Sequence, residues 1–272
     1  MIIPAPNDVA FNLFSMPVYW YGIILAFSIF VGIICANSLF NKINPAYKRD
    51  LIVECGSLII ILGILCARIY YCGLNFHYYF SHPAEILYIR EGGLSIHGAI
   101  IGGILSVIIM SKRYKIPFFS ILDPIACAAI LGQSIGRWGN YFNSEAYGYP
   151  TVSQNWGLFI PQAKRISEYA DMQYFHPAFL YESVLDLLAF FILLFLLNKF
   201  GKKIRGLVFF SYITLYAVIR FFIEKIRIDS ALNIGSIPFP EVISIILLVI
   251  GTIGIILSVT FAGKKKTVKY NT

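Results

Sequence analysis

Arginine, histidine and carboxylate side chains recur within apolar sequence in this chain. Arg68, Arg137 and Arg220 each lie near the end of an apolar run, and Glu224 follows Arg220 by four residues. An ionised side chain at the centre of a membrane helix costs about 2.5–3.5 kcal/mol on insertion scales. Guanidinium groups bind phosphate oxygens bidentately and stay charged at any working pH. Several arginines beside His97 and carboxylates therefore favour phosphate chemistry, provided that the chain brings them together.

The composition assigns these residues to a membrane protein. Of the 272 residues, 58% are hydrophobic and only 13% are charged, about half the charged share of a soluble domain. Seven apolar runs are long enough to cross a hydrocarbon core of about 30 Å. We predict an all-α polytopic membrane protein that forms one domain, 1–272. The predicted spans are Val18–Leu39, Leu51–Cys72, Leu94–Met110, Phe118–Ile135, Ala178–Asn198, Gly206–Ile223 and Val242–Ala262.

The basic residues predict how the spans are oriented. Fourteen of the 22 lysines and arginines fall after spans one, three and five and in the C-terminal tail. By the positive-inside rule this side is cytoplasmic, so the N-terminus is extracytoplasmic and the C-terminus cytoplasmic. The net charge of +8 then reflects topology and attraction to anionic lipid, and no nucleic-acid partner is expected. Residues 136–177 form an extracytoplasmic cap, with short strands around Trp156–Ile160.

This orientation brings polar residues from six spans to the outer-leaflet level. Tyr216, Arg220 and Glu224 are spaced four apart and share one helical face. A shared polar cavity would offset the cost of burying so many polar groups. The residues alone thus indicate an outer-leaflet membrane protein that handles anionic lipid, and they favour an enzyme. The remaining polar residues at this level are Tyr21, Arg68, His97, Arg137, Asn140, Glu182 and Asp186.

Each of these residues also has a structural interpretation. Arg68 or Arg137, taken singly, suits an anchor at lipid phosphates. His97 alone suits a hydrogen-bonded core histidine, and Arg220 with Glu224 suits a structural ion pair. The small residues Gly98 and Gly102 fit close helix packing.

Three other protein classes compete with an enzyme of this kind. A transporter or flippase for anionic lipid predicts polar residues down to the inner leaflet, but below Asp186 the spans are nearly uniformly apolar, apart from Glu54. An intramembrane serine protease would need a nucleophile, and no GxSxG-like elbow is present. A structural or receptor-like seven-span protein leaves the convergence unexplained. The five cysteines form no CxxC motif and no metal-ligand spacing.

Five motifs, in order along nearly the whole chain, resemble those of prolipoprotein diacylglyceryl transferases. They are VYWYGI at 18–23, GGLSIHGAIIGG at 92–103, GRWGNYFNSEAYG at 136–148, HPAFLYE at 176–182 and YAVIRFFIEKIR at 216–227. Four positions depart from the pattern. Ala99 and Ser144 replace glycines, Trp138 replaces an aliphatic residue, and Phe179 replaces a glutamine common in many members.

The resemblance implies a reaction in the bacterial cytoplasmic membrane. The diacylglyceryl group of phosphatidylglycerol passes to the thiol of the lipobox cysteine in a preprolipoprotein signal peptide. A thioether forms, glycerol 1-phosphate leaves, and neither a metal nor an organic cofactor is expected. The expected phospholipid-binding residues are Tyr21, Arg137, Asn140, Glu145 and Gly148, and the expected catalytic residues are His97, Tyr216, Arg220 and Glu224.

The expected roles follow from the chemistry of a thiolate nucleophile. His97, or a base in the Arg220–Glu224 pair, assists deprotonation of the thiol. Arg137 and Arg220 stabilise the leaving phosphate, and either arginine suits either position around it. Asn140 and Tyr21 orient the headgroup. Gly136, Gly139 and Gly148 are expected to form turns that let the backbone approach that headgroup.

Overall fold

A computed structural model describes residues 2–89, 92–151, 156–228, 233–234 and 237–270. The cap residues 152–155 and the side chains of the tail lysines from Lys264 onward lie outside the described part. Within it, helices predominate. They are α1 (Trp20–Ile43), α2 (Leu51–Glu54), α3 (Gly56–Leu74), α4 (Phe76–Ser81), α5 (Ile96–Tyr114), α6 (Phe118–Asn143), α7 (Ala178–Phe200), α8 (Leu207–Glu224) and α9 (Phe239–Tyr270).

Seven helices of the described chain are long and apolar enough to cross a membrane. They correspond one to one with the seven predicted spans, so the prediction of an all-α polytopic membrane protein is confirmed. Large apolar side chains such as Phe191, Phe222 and Ile256 are more than half exposed along these helices, as lipid-facing surfaces require. The spanning segments are α1, α3, α5, α6, α7, α8 and Phe239–Gly263 of α9.

The strands are short and lie outside the spans. They are β1 (Ile2–Ile3), β2 (Val9–Leu13), β3 (Met16–Tyr19), β4 (Gly157–Phe159), β5 (Tyr174–Phe175), β6 (Asn233–Ile234) and β7 (Ile237–Pro238). One sheet has the order β1-β4-β5, with β1 parallel and β5 antiparallel to β4. The strand expected around Trp156–Ile160 is therefore present as β4. The other pairs, β2 with β3 and β6 with β7, are antiparallel.

The chain divides into two compact units, of which the smaller is Asn37–Leu122. In this unit α3 packs against α5 through glycine. A Cβ at Gly98 or Gly102 would overlap the backbone of Cys66 or Leu62. The close packing expected of these two glycines is confirmed.

The larger unit comprises Met1–Ala36 and Asp123–Thr272. Its helix α8 begins at a buried carboxylate, since Asp123 Oδ2 and Oδ1 accept the backbone N–H groups of Gly206 and Phe209 at 2.8 and 2.9 Å. These amides have no partner within the first turn of α8, so the carboxylate satisfies them. Asp123 lies within the predicted fourth span, and its role is that of a helix cap.

Helix α6 extends eight residues beyond the end predicted for its span, as far as Asn143. Gly136 and Gly139 consequently lie inside the helix, and the expectation that they form turns is wrong. A Cβ at Gly139 would lie 2.8 Å from the ring of Tyr21, so this glycine makes room for an aromatic side chain.

After Asn143 the chain turns into the cap, whose core is aromatic and aliphatic. The buried residues Tyr147, Leu158 and Phe175 pack together with Ile160 and Phe179. The hydroxyl of Tyr147 donates to the carbonyl of Lys164 at 2.9 Å and accepts the N–H of Ile166 at 3.1 Å.

Candidate active site

Three helices of the larger unit bring together two arginines and two glutamates. Arg137 Nη2 on α6 lies 2.5 Å from Glu182 Oε1 on α7. Arg220 Nη2 on α8 lies 2.6 Å from Glu224 Oε2, one turn along the same helix. Arg220 Nη1 lies 4.0 Å from Glu182 Oε2, so Glu182 stands between the two guanidinium groups. We call these four residues the ion-pair cluster.

Burial makes the ion-pair cluster electrostatically strong. The side chains of Glu182 and Glu224 are 2% and 0% exposed, whereas those of Arg137 and Arg220 keep 22% and 15%. Charges removed from water interact more strongly and are screened less by salt. The cluster thus presents partly accessible guanidinium groups over buried carboxylates, an arrangement suited to an anionic ligand.

One hydrogen-bond donor of the ion-pair cluster makes no hydrogen bond among the described residues. Arg220 Nη1 is buried and makes no hydrogen bond to any residue that the structure describes, and Glu182 Oε2 is likewise without one. Buried polar atoms are almost always hydrogen-bonded, because leaving one unpaired costs roughly 1–3 kcal/mol. An unpaired guanidinium N–H is therefore a place where a ligand oxygen would bind favourably.

A second polar layer lies one helical turn away on the same three helices. Gln133 precedes Arg137 by four residues, Asp186 follows Glu182 by four, and Tyr216 precedes Arg220 by four. Gln133 Nε2 donates to the hydroxyl of Tyr212 at 3.0 Å, and the rings of Tyr212 and Tyr216 stack at 6.3 Å. We call Gln133, Asp186 and Tyr212, with Tyr216 beside them, the second layer.

On the side of the ion-pair cluster opposite to the second layer, the end of α6 forms a polar rim. Asn140 Nδ2 and Asn143 Nδ2 donate to Glu145 Oε1 at 3.0 and 3.1 Å, and the N–H of Glu145 returns to the carbonyl of Asn140 at 3.0 Å. Tyr21, Asn143 and Glu145 line a pocket of 780 Å³, together with Lys164. The structure thus brings the predicted residues Tyr21, Asn140 and Glu145 to one rim.

Gly148 holds the cap against the end of α8. Its N–H donates to the carbonyl of His176 at 2.8 Å, and it forms a β-bridge with Arg227. A Cβ there would lie 2.9 Å from the carbonyl oxygen of Ile226. The close backbone approach expected of Gly148 is present, but the neighbours that the structure gives it belong to the protein.

His97 and Arg68 belong to the smaller unit. His97 lies in the first turn of α5, is exposed, and has its ring 5.9 Å from that of Tyr70. Arg68 is only 6% exposed. Its guanidinium donates to the carbonyls of Glu85, Ile86, Gly92 and Gly93 at 2.6–2.9 Å, which fastens the segment after α4.

Two of the departures from the family pattern contact each other. The rings of Trp138 and Phe179 meet edge to face at 5.8 Å, and Phe179 also stacks on Tyr141 at 5.3 Å. Phe179 therefore serves packing. Ser144 has a φ of +53°, a left-handed conformation that glycine would adopt at a lower cost.

The sequence predicts that Glu182 and Asp186 lie at the outer-leaflet level but assigns them no function, and it does not identify Gln133 as a site residue. The available signal was the four-residue spacing that repeats on α6, α7 and α8. Among the described residues no group of three histidine, cysteine, aspartate or glutamate side chains could hold a metal ion.

Comparison with known proteins agrees with the motifs. A model of the prolipoprotein diacylglyceryl transferase family matches residues 8–257. The phosphatidylglycerol–prolipoprotein diacylglyceryl transferase of Clostridium novyi (strain NT) is 42% identical over 254 residues, covering 93% of this chain and 96% of that protein. Proteins with the same name from Acaryochloris marina and Staphylococcus saprophyticus are 40% and 41% identical, over 93% and 91% of this chain and 91% and 87% of their own lengths.

Proposed function

This chain belongs to the prolipoprotein diacylglyceryl transferase family, and from that premise we propose that it transfers the diacylglyceryl group of phosphatidylglycerol to a cysteine thiol of a prolipoprotein. The acceptor is the lipobox cysteine at the end of the signal peptide. The products are a thioether-linked lipid and glycerol 1-phosphate. The family named from the five sequence motifs is confirmed by the match over residues 8–257.

The unpaired Nη1 of Arg220 is the observation that carries this proposal. Arg137 and Arg220 contact the same carboxylate, Glu182, from different helices and keep 22% and 15% of their side chains exposed, so a phosphate that approaches on the side away from Glu182 would meet donors from both. A phosphate oxygen at Arg220 Nη1 would satisfy the unpaired donor. Guanidinium suits this task because its planar fork matches phosphate geometry and it stays protonated.

The chemistry follows from where charge develops. The thiol sulfur attacks C3 of the diacylglyceryl group, a C–S bond forms, and the C3–O bond to phosphate breaks. The electron pair of that bond leaves with the phosphate oxygen, and the thiol proton goes to a base. Arg137 and Arg220 stabilise the charge that grows on the leaving phosphate, a task worth roughly 10²–10³ in rate for a single well-placed donor.

Two groups are candidates for the base. Glu224 is held 2.6 Å from Arg220 Nη2 beside the phosphate site, and His97 lies at the start of α5. The pH–rate profile of His97→Gln distinguishes them. An unchanged rate and profile assigns the base to the Arg220–Glu224 pair, whereas loss of one limb of the profile assigns it to His97.

The surroundings of the ion-pair cluster suit a phospholipid with two acyl chains. An apolar groove of 450 Å³ lies between α1, α6 and α7, and its lining includes Trp138 and Ser183, which follow Arg137 and Glu182 in the sequence. Ile24, Phe27 and Leu187 line it, together with Trp138. The rim residues Tyr21, Asn140 and Glu145 would contact the lipid where it enters the site, on the outer side of the two arginines. The basic loops favour an N-terminus that is extracytoplasmic and a C-terminus that is cytoplasmic.

A transfer assay tests this function. Purified protein is incubated with phosphatidylglycerol and a peptide that contains a lipobox cysteine, and the mass of the peptide is measured by mass spectrometry. We expect a mass increase of one diacylglyceryl group, and none when serine replaces that cysteine. Movement of lipid between leaflets with an unmodified peptide would favour a flippase and contradict the proposal.

A further inference from the structure

The second layer contains buried hydrogen-bond acceptors that have no hydrogen-bond partner among the residues the structure describes. Asp186 is 1% exposed. Its Oδ1 and the Oε1 of Gln133 are both buried without a hydrogen bond to any residue within the described part of the chain. Each costs free energy while it stays unpaired. Neither atom serves the phosphate site, because an acceptor oxygen repels a phosphate oxygen.

Position connects these acceptors to the phosphate site. Gln133 and Asp186 lie one turn, about 5.4 Å, from Arg137 and Glu182 on the same helices. Tyr212 joins them through the hydrogen bond that its hydroxyl accepts from Gln133 Nε2 at 3.0 Å. A group attached to a phosphate at the ion-pair cluster would therefore reach the second layer.

We propose that Gln133, Asp186 and Tyr212 form a subsite for the hydroxyl groups of a glycerol headgroup whose phosphate is bound by Arg137 and Arg220. The proposal rests on the proposed function, since it concerns the headgroup of the same lipid. Two unpaired acceptors match the two hydroxyl donors of a glycerol headgroup. Tyr212 can donate its own hydrogen to a glycerol oxygen, because its oxygen accepts from Gln133 Nε2.

This chemistry discriminates between headgroups. A simple alkyl headgroup would leave both acceptors unpaired. A quaternary ammonium has no hydrogen to donate, so it too would leave both acceptors unpaired. A site built to hydrogen-bond a hydroxyl rejects an analogue that lacks it, because its own polar atoms then stay unpaired.

The test compares phosphatidylglycerol with phosphatidylpropanol, which has the same phosphate charge and no headgroup hydroxyl. We expect transfer from phosphatidylglycerol to be faster by roughly tenfold or more, as two hydrogen bonds would give. Gln133→Met and Asp186→Leu each remove one of the two acceptors, so each should slow transfer from phosphatidylglycerol more than transfer from phosphatidylpropanol, and the preference should fall to a few-fold. Gln133→Met also removes the hydrogen bond from Nε2 to the Tyr212 hydroxyl, so the readout is the ratio of the two rates and not either rate alone.

Thr214→Val is the matched control. Thr214 lies on α8 near Tyr212, but its hydroxyl donates to the carbonyl of Phe210 in its own helix at 2.9 Å, so the preference should persist in this variant. Equal rates from the two lipids in the unmodified protein, or equal slowing of both by the variants, would overturn the subsite and leave the transferase function standing. Absence of transfer from either lipid would contradict the function instead. In that case the subsite is tested by the increase in melting temperature that each lipid causes on binding. Equal increases from phosphatidylglycerol and phosphatidylpropanol would overturn the subsite.

Discussion

Arg68 and Arg220 occupy similar places in the sequence, each near the end of an apolar run, yet the structure gives them opposite surroundings. The guanidinium of Arg68 donates to four backbone carbonyls at 2.6–2.9 Å and to a fifth, that of Tyr88, at 3.5 Å, and it lies 5.3 Å from the ring of Tyr79. All of these partners are uncharged. An arginine saturated by carbonyls of its own chain fastens a loop and has little left for a ligand.

The partners of Arg137 and Arg220 are carboxylates. Glu182 contacts Arg137 directly and lies 4.0 Å from Arg220, and a guanidinium nitrogen of Arg220 stays unpaired among the described residues. Because the cluster is charged and Arg220 Nη1 makes no hydrogen bond among the described residues, the two arginines can bind the phosphate of a substrate. The hydrogen-bond and ion-pair partners of an arginine therefore indicate, better than its depth in the membrane, whether it has a structural role or binds a ligand.

Replacing Arg137 by lysine should have the largest effect. Lysine keeps the charge but loses the planar fork that reaches Glu182 and phosphate together. We expect the transfer rate to fall about 100-fold or more, with little change in the melting temperature. The rate is measured with purified protein, phosphatidylglycerol and a lipobox peptide, and Lys112→Arg, in the last turn of α5, serves as a conservative control. Near-normal transfer by Arg137→Lys would identify Arg137 as an interfacial anchor.

The same substitution at Arg68 should reverse this pattern. One ammonium cannot replace a guanidinium that donates to four carbonyls, so buried carbonyls lose their partners. We expect Arg68→Lys to lower the melting temperature by roughly 5–10 °C, while the rate per folded molecule stays within a few-fold. A rate loss as large as that of Arg137→Lys, without loss of stability, would erase the distinction between the two arginines.

The sequence predicted the part of this picture that depends on hydropathy and spacing. Seven apolar runs specify seven helices, and Arg220 with Glu224 pairs as two residues four apart on a helix should. The extension of α6 to Asn143 was missed, because the apolar run ends before the helix does. The role of Glu182 was missed for another reason. Which carboxylate meets which arginine depends on helix rotation and packing, and neither is encoded in a local pattern.

Phe179 offers a prediction about the departures from the family pattern. Glutamine at this position would place an amide among Trp138, Tyr141 and the cap core, where the structure supplies only apolar and aromatic surroundings. We expect Phe179→Gln to destabilise the protein by about 2–3 kcal/mol, measured by thermal denaturation. Phe179→Leu is the control and should cost less. Unchanged stability in Phe179→Gln would show that an amide finds a partner there.

A smaller effect is expected at Asp50, between α1 and α2. Hydrogen bonds from Asn37 and Asn41 hold the pKa of this carboxyl below its usual range. Its contribution to stability is therefore full above the usual pKa of about 4 and is lost as the pH falls through the lowered value. Asp50→Asn should melt below the unmodified protein at neutral pH and converge with it in acid. A difference that does not depend on pH would contradict this origin.

The most direct test of the phosphate site at Arg137 and Arg220 is a structure of the protein determined in nanodiscs that contain phosphatidylglycerol. We expect the lipid phosphate to lie about 3 Å from Arg220 Nη1, between Arg220 and Arg137, with the glycerol headgroup directed at Asp186 and Gln133. A phosphate bound only outside the rim, with no contact to Arg137 or Arg220, would contradict the proposed phosphate site.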